Sequence, residues 1–509
     1  MLATALSRVL GFVRDLLVAQ LFGTTAAAQA FVVAFRLPNL LRDLVAEGAI
    51  TSAFVPVLSW YRAKRPPQEF WTLSQALLLR VLVLLCIVGA AGVLWAPAVV
   101  RLIAPGFIED PEKFALTVRL TRLLFPFVIF VGLWAYFMGL LNSLQHFTMP
   151  SLGPAILNVA MVVACLWLVP RMSPGIVGLA YGVMAGALLQ VLVQLPVAAR
   201  LGFRWAWHWR HPGSREVMRL LGPRTVGAAV YQGNVFVHTA LASLSSIVGE
   251  GAVAALYYAN RLVQLPLALF GTAAAQASLP SLTEQATAND MKGFRATLIS
   301  VTRMMAFVML PASLGLMVLA FPIVAGLFER GAFDHRSTIM TSQAIIWYST
   351  GLVAYSMAKI FSGAFYALRD TWTPVRLAIE ASVVNILLSV ALMWGMQIQG
   401  LALSAALANS LNAWRLVRAM ERRLGERLWQ PLLDPLLRMS AASGVMGLGA
   451  WWLWAVMPVA LPVWVRLVGT IGAGVGIYVA ACALLRVREI SLVVKWFGKL
   501  RALPESSSE

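Results

Sequence analysis

The sequence predicts an all-α polytopic membrane protein of fourteen transmembrane helices, and three observations predict it. Of 509 residues, 60% are hydrophobic and only 12% charged, about half the charge of ordinary soluble domains. Apolar runs such as VLVLLCIVGAAGVLWAPAVV at 81–100 recur to the end of the chain. Fourteen spans of about 20 residues use roughly 280 positions, which leaves short loops and no sizeable soluble domain. A soluble globular protein is excluded.

Apolar runs bounded by charge, Gly and Pro place the first six spans at about 5–23, 28–58, 74–100, 117–142, 149–169 and 175–198. The other eight fall at about 220–245, 251–283, 299–327, 340–367, 373–395, 399–420, 436–457 and 462–485. The opening run MLATALSRVLGFVRDLLVAQLFG carries Arg14 and Asp15 where a signal peptide needs its apolar core, so it reads as an unusually polar first span.

Basic residues check the assignment, because wrong spans would scramble their alternation. Even-numbered connections hold Arg62, Lys64 and Arg65, then Arg200, Arg204, Arg210 and Arg215, then Lys292 and Arg295, then Arg415, Arg418, Arg422, Arg423 and Arg427. Odd-numbered ones, around Gly23, Ser246 and Gln397, are nearly free of them apart from isolated cases such as Arg171 and Arg336. Both termini are therefore expected in the cytoplasm, with the tail of Arg486, Arg488, Lys495, Lys499 and Arg501. The excess of 40 Lys and Arg over 21 Asp and Glu, +19, follows from this rule and needs no nucleic acid.

The stretch RLGFRWAWHWRHPGSREVMR after span six suits a segment lying in the membrane interface, with Trp205, Trp207 and Trp209 as anchors. It divides the chain into 1–200, a basic linker at 201–218, 219–424, and a final helix pair with its tail at 425–509. His208 and His211 lie in the linker without a third metal ligand, so they read as packing residues. Ala53-Phe-Val-Pro56-Val-Leu58 and Ala277-Ser-Leu-Pro280-Ser-Leu282 end the second span of each six-helix block, the echo of a parallel repeat. Cys86, Cys165 and Cys482 each sit alone in an apolar run and read as buried small hydrophobes. Gly178, Gly182 and Gly186 form a close-packing helix face, not a nucleotide loop, since no Lys-Ser/Thr follows. No Walker, HExxH or DxD motif is present, so any pumping draws on a gradient, the membrane potential or a downstream sink.

The chemistry is carried by charges placed where charge is expensive, about 2.5 to 3.5 kcal/mol for a basic residue at mid-bilayer. These are Arg8, Arg14 and Asp15 in span one, Arg36, Arg42, Asp43 and Glu47 in span two, Arg261 in span eight and Lys359 in span ten. Arg8, Gly11 and Asp15 at i, i+3 and i+7, with Arg14 beside them, fan over one side of a helix that cannot face lipid. Carboxylates inside the spans are too few to neutralise Arg8, Arg14, Arg42 and Arg261, so a cavity with surplus positive charge is expected. Guanidinium groups match phosphate oxygens in bidentate fashion and stay ionised, which points to a phosphate or pyrophosphate ligand. Pro38, Pro266 and Pro280 are expected to unwind backbone lining that cavity.

The runs SRVLGFVRD at 7–15, AFRLPNLLRDLVAEGAITSAFVPVL at 34–58, APGF at 104–107, PSLGPAILN at 150–158, YYANRLVQLP at 257–266 and FYALRDTWTPV at 365–375 resemble the MurJ (MviN) family of bacterial lipid II flippases. The resemblance covers essentially the whole chain. It implies two six-helix lobes related by a pseudo-two-fold axis, plus a C-terminal helix pair whose groove holds the undecaprenyl tail. It also implies export of lipid II, an undecaprenyl-pyrophosphoryl disaccharide pentapeptide, across the bacterial cytoplasmic membrane for peptidoglycan synthesis, by alternating access. The family's cavity arginines match Arg8, Arg14, Arg42 and Arg261, and Asn39 falls in the LPN turn.

The chain departs from the resemblance where Gln29, Asn260 and Gln264 replace acidic residues common in the family, which makes the expected cavity more positive. Asn234, Asn385 and Ser389 stand as remnants of a sodium site that some of those proteins have, a site not carried over. The lead-in before span one is shorter than usual there, in keeping with a trimmed or misassigned start.

The expected function is thus a lipid II flippase. Arg8, Arg14, Arg42 and Arg261 grip the pyrophosphate, while Asp15, Asn39, Glu47, Asn260 and Gln264 orient them or touch the sugar-peptide head. No cofactor or nucleic-acid partner is expected; the partners are lipid II and membrane lipids, the chain acts as a monomer, and the driving force is sodium, protons or the membrane potential. The alternatives are a flippase for another polyprenyl-linked saccharide and a multidrug antiporter of the same superfamily, which would need cavity acids. A membrane enzyme on polyprenyl phosphates would need acidic metal ligands or a large extramembrane domain. A non-transporting scaffold would leave buried arginines without a role.

Overall fold

The computed structural model describes residues 2–42, 51–214, 216–217, 233–458 and 460–490. Among them all regular structure is helical. The helices are α1 Leu2–Phe22, α2 Ala26–Arg42, α3 Thr51–Lys64, α4 Pro67–Leu94, α5 Ala96–Ile103, α6 Pro111–Leu124, α7 Phe127–Ser143, α8 Thr148–Val163 and α9 Gly175–Arg200. After a short helical stretch at 233–242 come α10 Ala252–Pro266, α11 Thr272–Thr287, α12 Met291–Val318, α13 Ala320–Phe328, α14 His335–Ser349, α15 Leu352–Ala367, α16 Trp372–Leu424, α17 Gln430–Val456 and α18 Val463–Leu484. Eight helical stretches among the described residues are long and apolar enough to cross a membrane. Apolar residues such as Ile87, Leu192 and Val468 stay exposed on them because lipid is their solvent.

Local chemistry sets the ends. The Asp110 carboxylate accepts from the N–H groups of Glu112 and Lys113, both at 3.1 Å, and so caps α6, whose first residue is Pro111. Asp290 and Asp370 cap α12 and α16 in the same way, and Gly425 ends α16 in the left-handed region.

α16 is two helices. At Gln397 the backbone reverses (φ 50°, ψ −131°), and a Cβ on Gly400 would lie 2.5 Å from the Leu392 carbonyl oxygen. Pairs then step away from the turn: Ser389 with Ser404 at 2.7 Å, Glu380 with Arg415, and Asp370 with Arg423 at 3.5 Å. This antiparallel register agrees with the sequence reading, which turned the chain at Gln397.

The chain forms two compact units. Unit 1 is Met1–Ala254 with Arg330–Ser337, and unit 2 is Ala255–Glu329 with Thr338–Glu509. In unit 1, α8 packs on α1 and α9, and α7 packs on α4 and α9. The glycine face of α9 is as the spacing predicts. A Cβ on Gly182 would sit 2.2 Å from the Ala164 Cβ, and one on Gly186 2.9 Å from the Ala160 Cβ. Gly182→Ala is therefore expected to cost about 1–3 kcal/mol by overpacking. Gly363→Ala, in open space on α15, should be neutral or stabilise by about 0.5–1 kcal/mol. Thermal unfolding of the two purified variants checks the contrast; equal midpoints would contradict it.

In unit 2, α17 and α18 pack on each other and α17 on α12. The Tyr478 hydroxyl donates to the Phe307 carbonyl at 2.8 Å, and Arg303 pairs with Glu489 at 2.6 Å.

Three expectations are corrected. The backbone is helical through Pro38 and Pro280, and Asn39 lies inside α2, not in a turn; flanking helix formers and neighbouring helices absorb the lost hydrogen bond. Only Pro266 marks an interruption, a π-turn at Leu267–Gly271. Cys86 is exposed, not buried, on a helix whose outer face lipid can solvate; Cys165 and Cys482 are buried.

Candidate substrate-binding site

In unit 1 the site begins with Ser7, Gly11 and Arg14 on α1. Gly11 lacks a side chain where α8 comes close: a Cβ there would meet the Asn158 amide nitrogen at 3.3 Å. Asn158 therefore reaches across. Its Nδ2 donates to the Ser7 carbonyl at 3.0 Å, and its Oδ1 accepts from Arg14 Nη1 at 2.9 Å. Arg14 also donates to Asp15 Oδ1 from Nη2 at 2.7 Å and from Nε at 3.1 Å. Both side chains of this pair are largely buried, so the guanidinium is held by a carboxylate and an amide oxygen in a fixed fork. Arg8, further toward the start of α1, is exposed, and Arg42 and Asn39 on α2 are half-buried.

In unit 2, Asn260, Arg261 and Gln264 share the exposed side of α10, while Tyr258, Ala259, Leu262 and Val263 are buried. Gln264 donates to Asn260 Oδ1 at 3.2 Å one turn back, and the Arg261 guanidinium lies 5.5 Å from the Tyr257 ring centroid. An aromatic face steadies a guanidinium without cancelling its charge. The π-turn follows one turn later, a deformation frequent at functional sites.

Within its own unit, each polar set is thus gathered by the structure: Arg14, Asp15 and Asn158 in one, Asn260, Arg261 and Gln264 in the other. Glu47 and Asp43 lie outside the described residues. Asn385 and Ser389 are buried on α16, where the Ser389 and Ser404 hydroxyls are 2.7 Å apart. His208 contacts Gln75 at 2.7 Å, and the His211 ring meets Tyr61 edge-on at 5.3 Å, so both histidines have packing partners.

Sequence reasoning missed two groups. Asn158 had a signal, an amide inside an apolar span. The other group explains Gln29. The Glu250 carboxylate accepts from Gln29 Nε2 at 2.6 Å and from Lys113 Nζ at 2.8 Å, and Lys113 Nζ lies 4.2 Å from the Phe107 ring centroid. A carboxylate is therefore present beside Gln29 after all, supplied from a distant part of unit 1. Burial pushes the Glu250 carboxyl up, but the bonds from Lys113 and Gln29 outweigh it and hold it below the ordinary glutamate range.

The comparisons with known proteins agree with one another. The family model described as "Lipid II flippase MurJ" matches residues 18–467. A Vibrio cholerae protein named "Probable lipid II flippase MurJ" is 36% identical over 503 residues, covering 95% of this chain and 94% of its own. A Burkholderia cenocepacia protein named "Lipid II flippase MurJ" is 35% identical over 429 residues, covering 82% of each. The solved structure titled "Lipid II flippase MurJ, inward closed conformation" matches with a TM-score of 0.81 at 23% identity, over 96% of this chain and 99% of that one. An inward-facing multidrug resistance MATE family transporter of the MOP superfamily matches with a TM-score of 0.69 at 15% identity, over 82% and 94%. Both structural likenesses are of fold.

Proposed function

Because the chain belongs to the lipid II flippase MurJ family, we propose that it moves lipid II from the inner to the outer leaflet of the bacterial cytoplasmic membrane, for peptidoglycan synthesis. The observation that carries the site assignment is the buried Arg14 fork, held by Asp15 and Asn158 inside an apolar bundle. Ionisable residues inside an apolar bundle are rare and mark substrate pathways, and a guanidinium oriented in this way is a ready partner for phosphate.

In this reading Arg8, Arg14, Arg42 and Arg261 take the pyrophosphate, and Asp15, Asn39, Glu47, Asn260 and Gln264 orient them or meet the sugar-peptide head. Fourteen spans form two lobes and a C-terminal pair that holds the polyprenyl tail, both termini are cytoplasmic, and the chain works as a monomer. An inward-open cavity accepts the headgroup. Its charge draws the lobes together, and outward opening releases the lipid. Nucleotide hydrolysis takes no part. Returning inward without cargo must overcome repulsion among fixed guanidinium charges, and an inward-negative potential assists by about 2.3 kcal/mol per charge per 100 mV.

Two tests follow. Cells depleted of their own lipid II flippase should be rescued by the wild-type chain and not by membrane-inserted Arg42→Ala or Arg261→Ala; failure of the wild-type chain would refute the substrate. In proteoliposomes, dissipating an inward-negative potential should slow turnover several-fold. Turnover indifferent to potential would remove the energetic part of the proposal.

A further inference from the structure

Residues 203–211, which follow α9, have no helical or turn structure, yet they are fastened at two points by one side chain. The buried Gln75 of α4 donates from Nε2 to the Arg204 carbonyl at 2.7 Å, and its Oε1 contacts His208 Nδ1 at 2.7 Å. Between and beyond those points Trp205, Trp207 and Trp209 recur at every second residue, with relative exposures of 53%, 78% and 51%. The first two rings meet edge-on at 5.8 Å. Three indoles held open to the surroundings by a buried clamp form a surface that water alone does not favour.

Charge selects what covers it. Arg200, Arg204 and Arg210 are exposed around the same segment, and the nearby Glu69 faces Arg65 at 3.8 Å. A comb of indoles flanked on both sides by guanidinium groups matches a headgroup layer that offers both acyl chains and phosphates. We infer that residues 200–210 form a binding surface for anionic phospholipid headgroups, in which the indoles enter the acyl boundary, the guanidinium groups engage lipid phosphate, and Gln75 fixes the register of the two. A protein partner would need an acidic surface that also solvates three indoles, and the regular alternation suits a layer better than a shaped epitope.

Indole quenching tests this on the full chain in phosphatidylcholine vesicles carrying an equal minor share of either brominated phosphatidylglycerol or brominated phosphatidylcholine. The comb's signal is the difference between wild type and a Trp205→Phe/Trp207→Phe/Trp209→Phe variant, which removes the background of the other tryptophans. The expected result is stronger quenching by the anionic bromolipid, with the preference falling about fivefold for each of Arg200→Gln, Arg204→Gln and Arg210→Gln. Gln75→Ala, and His208→Ala as the exposed and less disruptive alternative, should leave the comb quenched equally by both lipids. Equal quenching of the wild-type comb by the two lipids would overturn the anionic selectivity. Absence of quenching by either would show that the comb is not in lipid, and unchanged selectivity in both clamp variants would overturn the role of Gln75.

Discussion

Arg14→Ala is expected to abolish rescue of flippase-depleted cells and to lower lipid II transport at least about 100-fold, the loss of one bidentate charged contact to phosphate of about 3 kcal/mol. The single variant also takes the Arg14 guanidinium away from the largely buried Asp15 carboxylate, which costs stability as well. Poor expression could then mimic lost transport. Adding Asp15→Asn removes the carboxylate charge that Arg14 balanced, so the double variant should regain part of the wild-type unfolding midpoint while transport stays lost. Asn158→Ala removes a single neutral partner of the guanidinium and should reduce transport by about tenfold, with the fold intact. Transport by a well-folded Arg14→Ala/Asp15→Asn chain at the wild-type rate would dismiss Arg14 as a ligand.

Glu250→Gln should destabilise unit 1 by about 2–3 kcal/mol. That is less than the 3–5 kcal/mol of a fully buried pair, because Glu250 is half-exposed while Lys113 is almost wholly enclosed. Lys113 would keep its charge and its aromatic neighbour Phe107 but lose its carboxylate. Adding Gln29→Glu returns an acid to the same cluster and should recover part of the loss, a coupling of about 0.5–3 kcal/mol between neighbours. Thermal unfolding of the two single variants and the double variant measures it, and strict additivity would show that the three residues do not act together. The pH dependence has a definite sign. A carboxyl held below its ordinary value stabilises the fold above that value, and the contribution fades as pH falls through the lower, folded one. Between about pH 6 and 8 the clasp should therefore be indifferent to pH, with loss confined below about pH 4.

Much of the fold was legible because its causes are local. Apolar runs bounded by charge, Gly and Pro and the glycine spacing on α9 each act within a few residues, and Gln397 reverses the chain where the basic residues vanish. The candidate site was legible only in part. Arg14 and Arg261 announce themselves as charges in apolar spans, but the partner that orients Arg14 lies 144 residues away, and Lys113 and Glu250 are 137 apart. No periodicity links such positions, since folding alone decides their contact. The replacement of an acid by Gln29 therefore looked in the sequence like a lost charge. In the structure Glu250 supplies that charge across the packing of unit 1. Proline was over-read for the opposite reason. Its local preference is clear, but at Pro38 and Pro280 the surrounding helix prevails.

In the proposed cycle a cavity of arginines carries a pyrophosphate-linked lipid across the bilayer. The most direct measurement reconstitutes the purified chain into vesicles holding fluorescent lipid II in the inner leaflet and follows its exposure to an impermeant external quencher. Wild type should expose the lipid much faster than protein-free vesicles, Arg261→Ala and Arg14→Ala/Asp15→Asn should fall to the protein-free rate, and inorganic pyrophosphate trapped on the loading side should slow the wild type. Equal exposure rates for the wild type, the variants and protein-free vesicles would contradict the account.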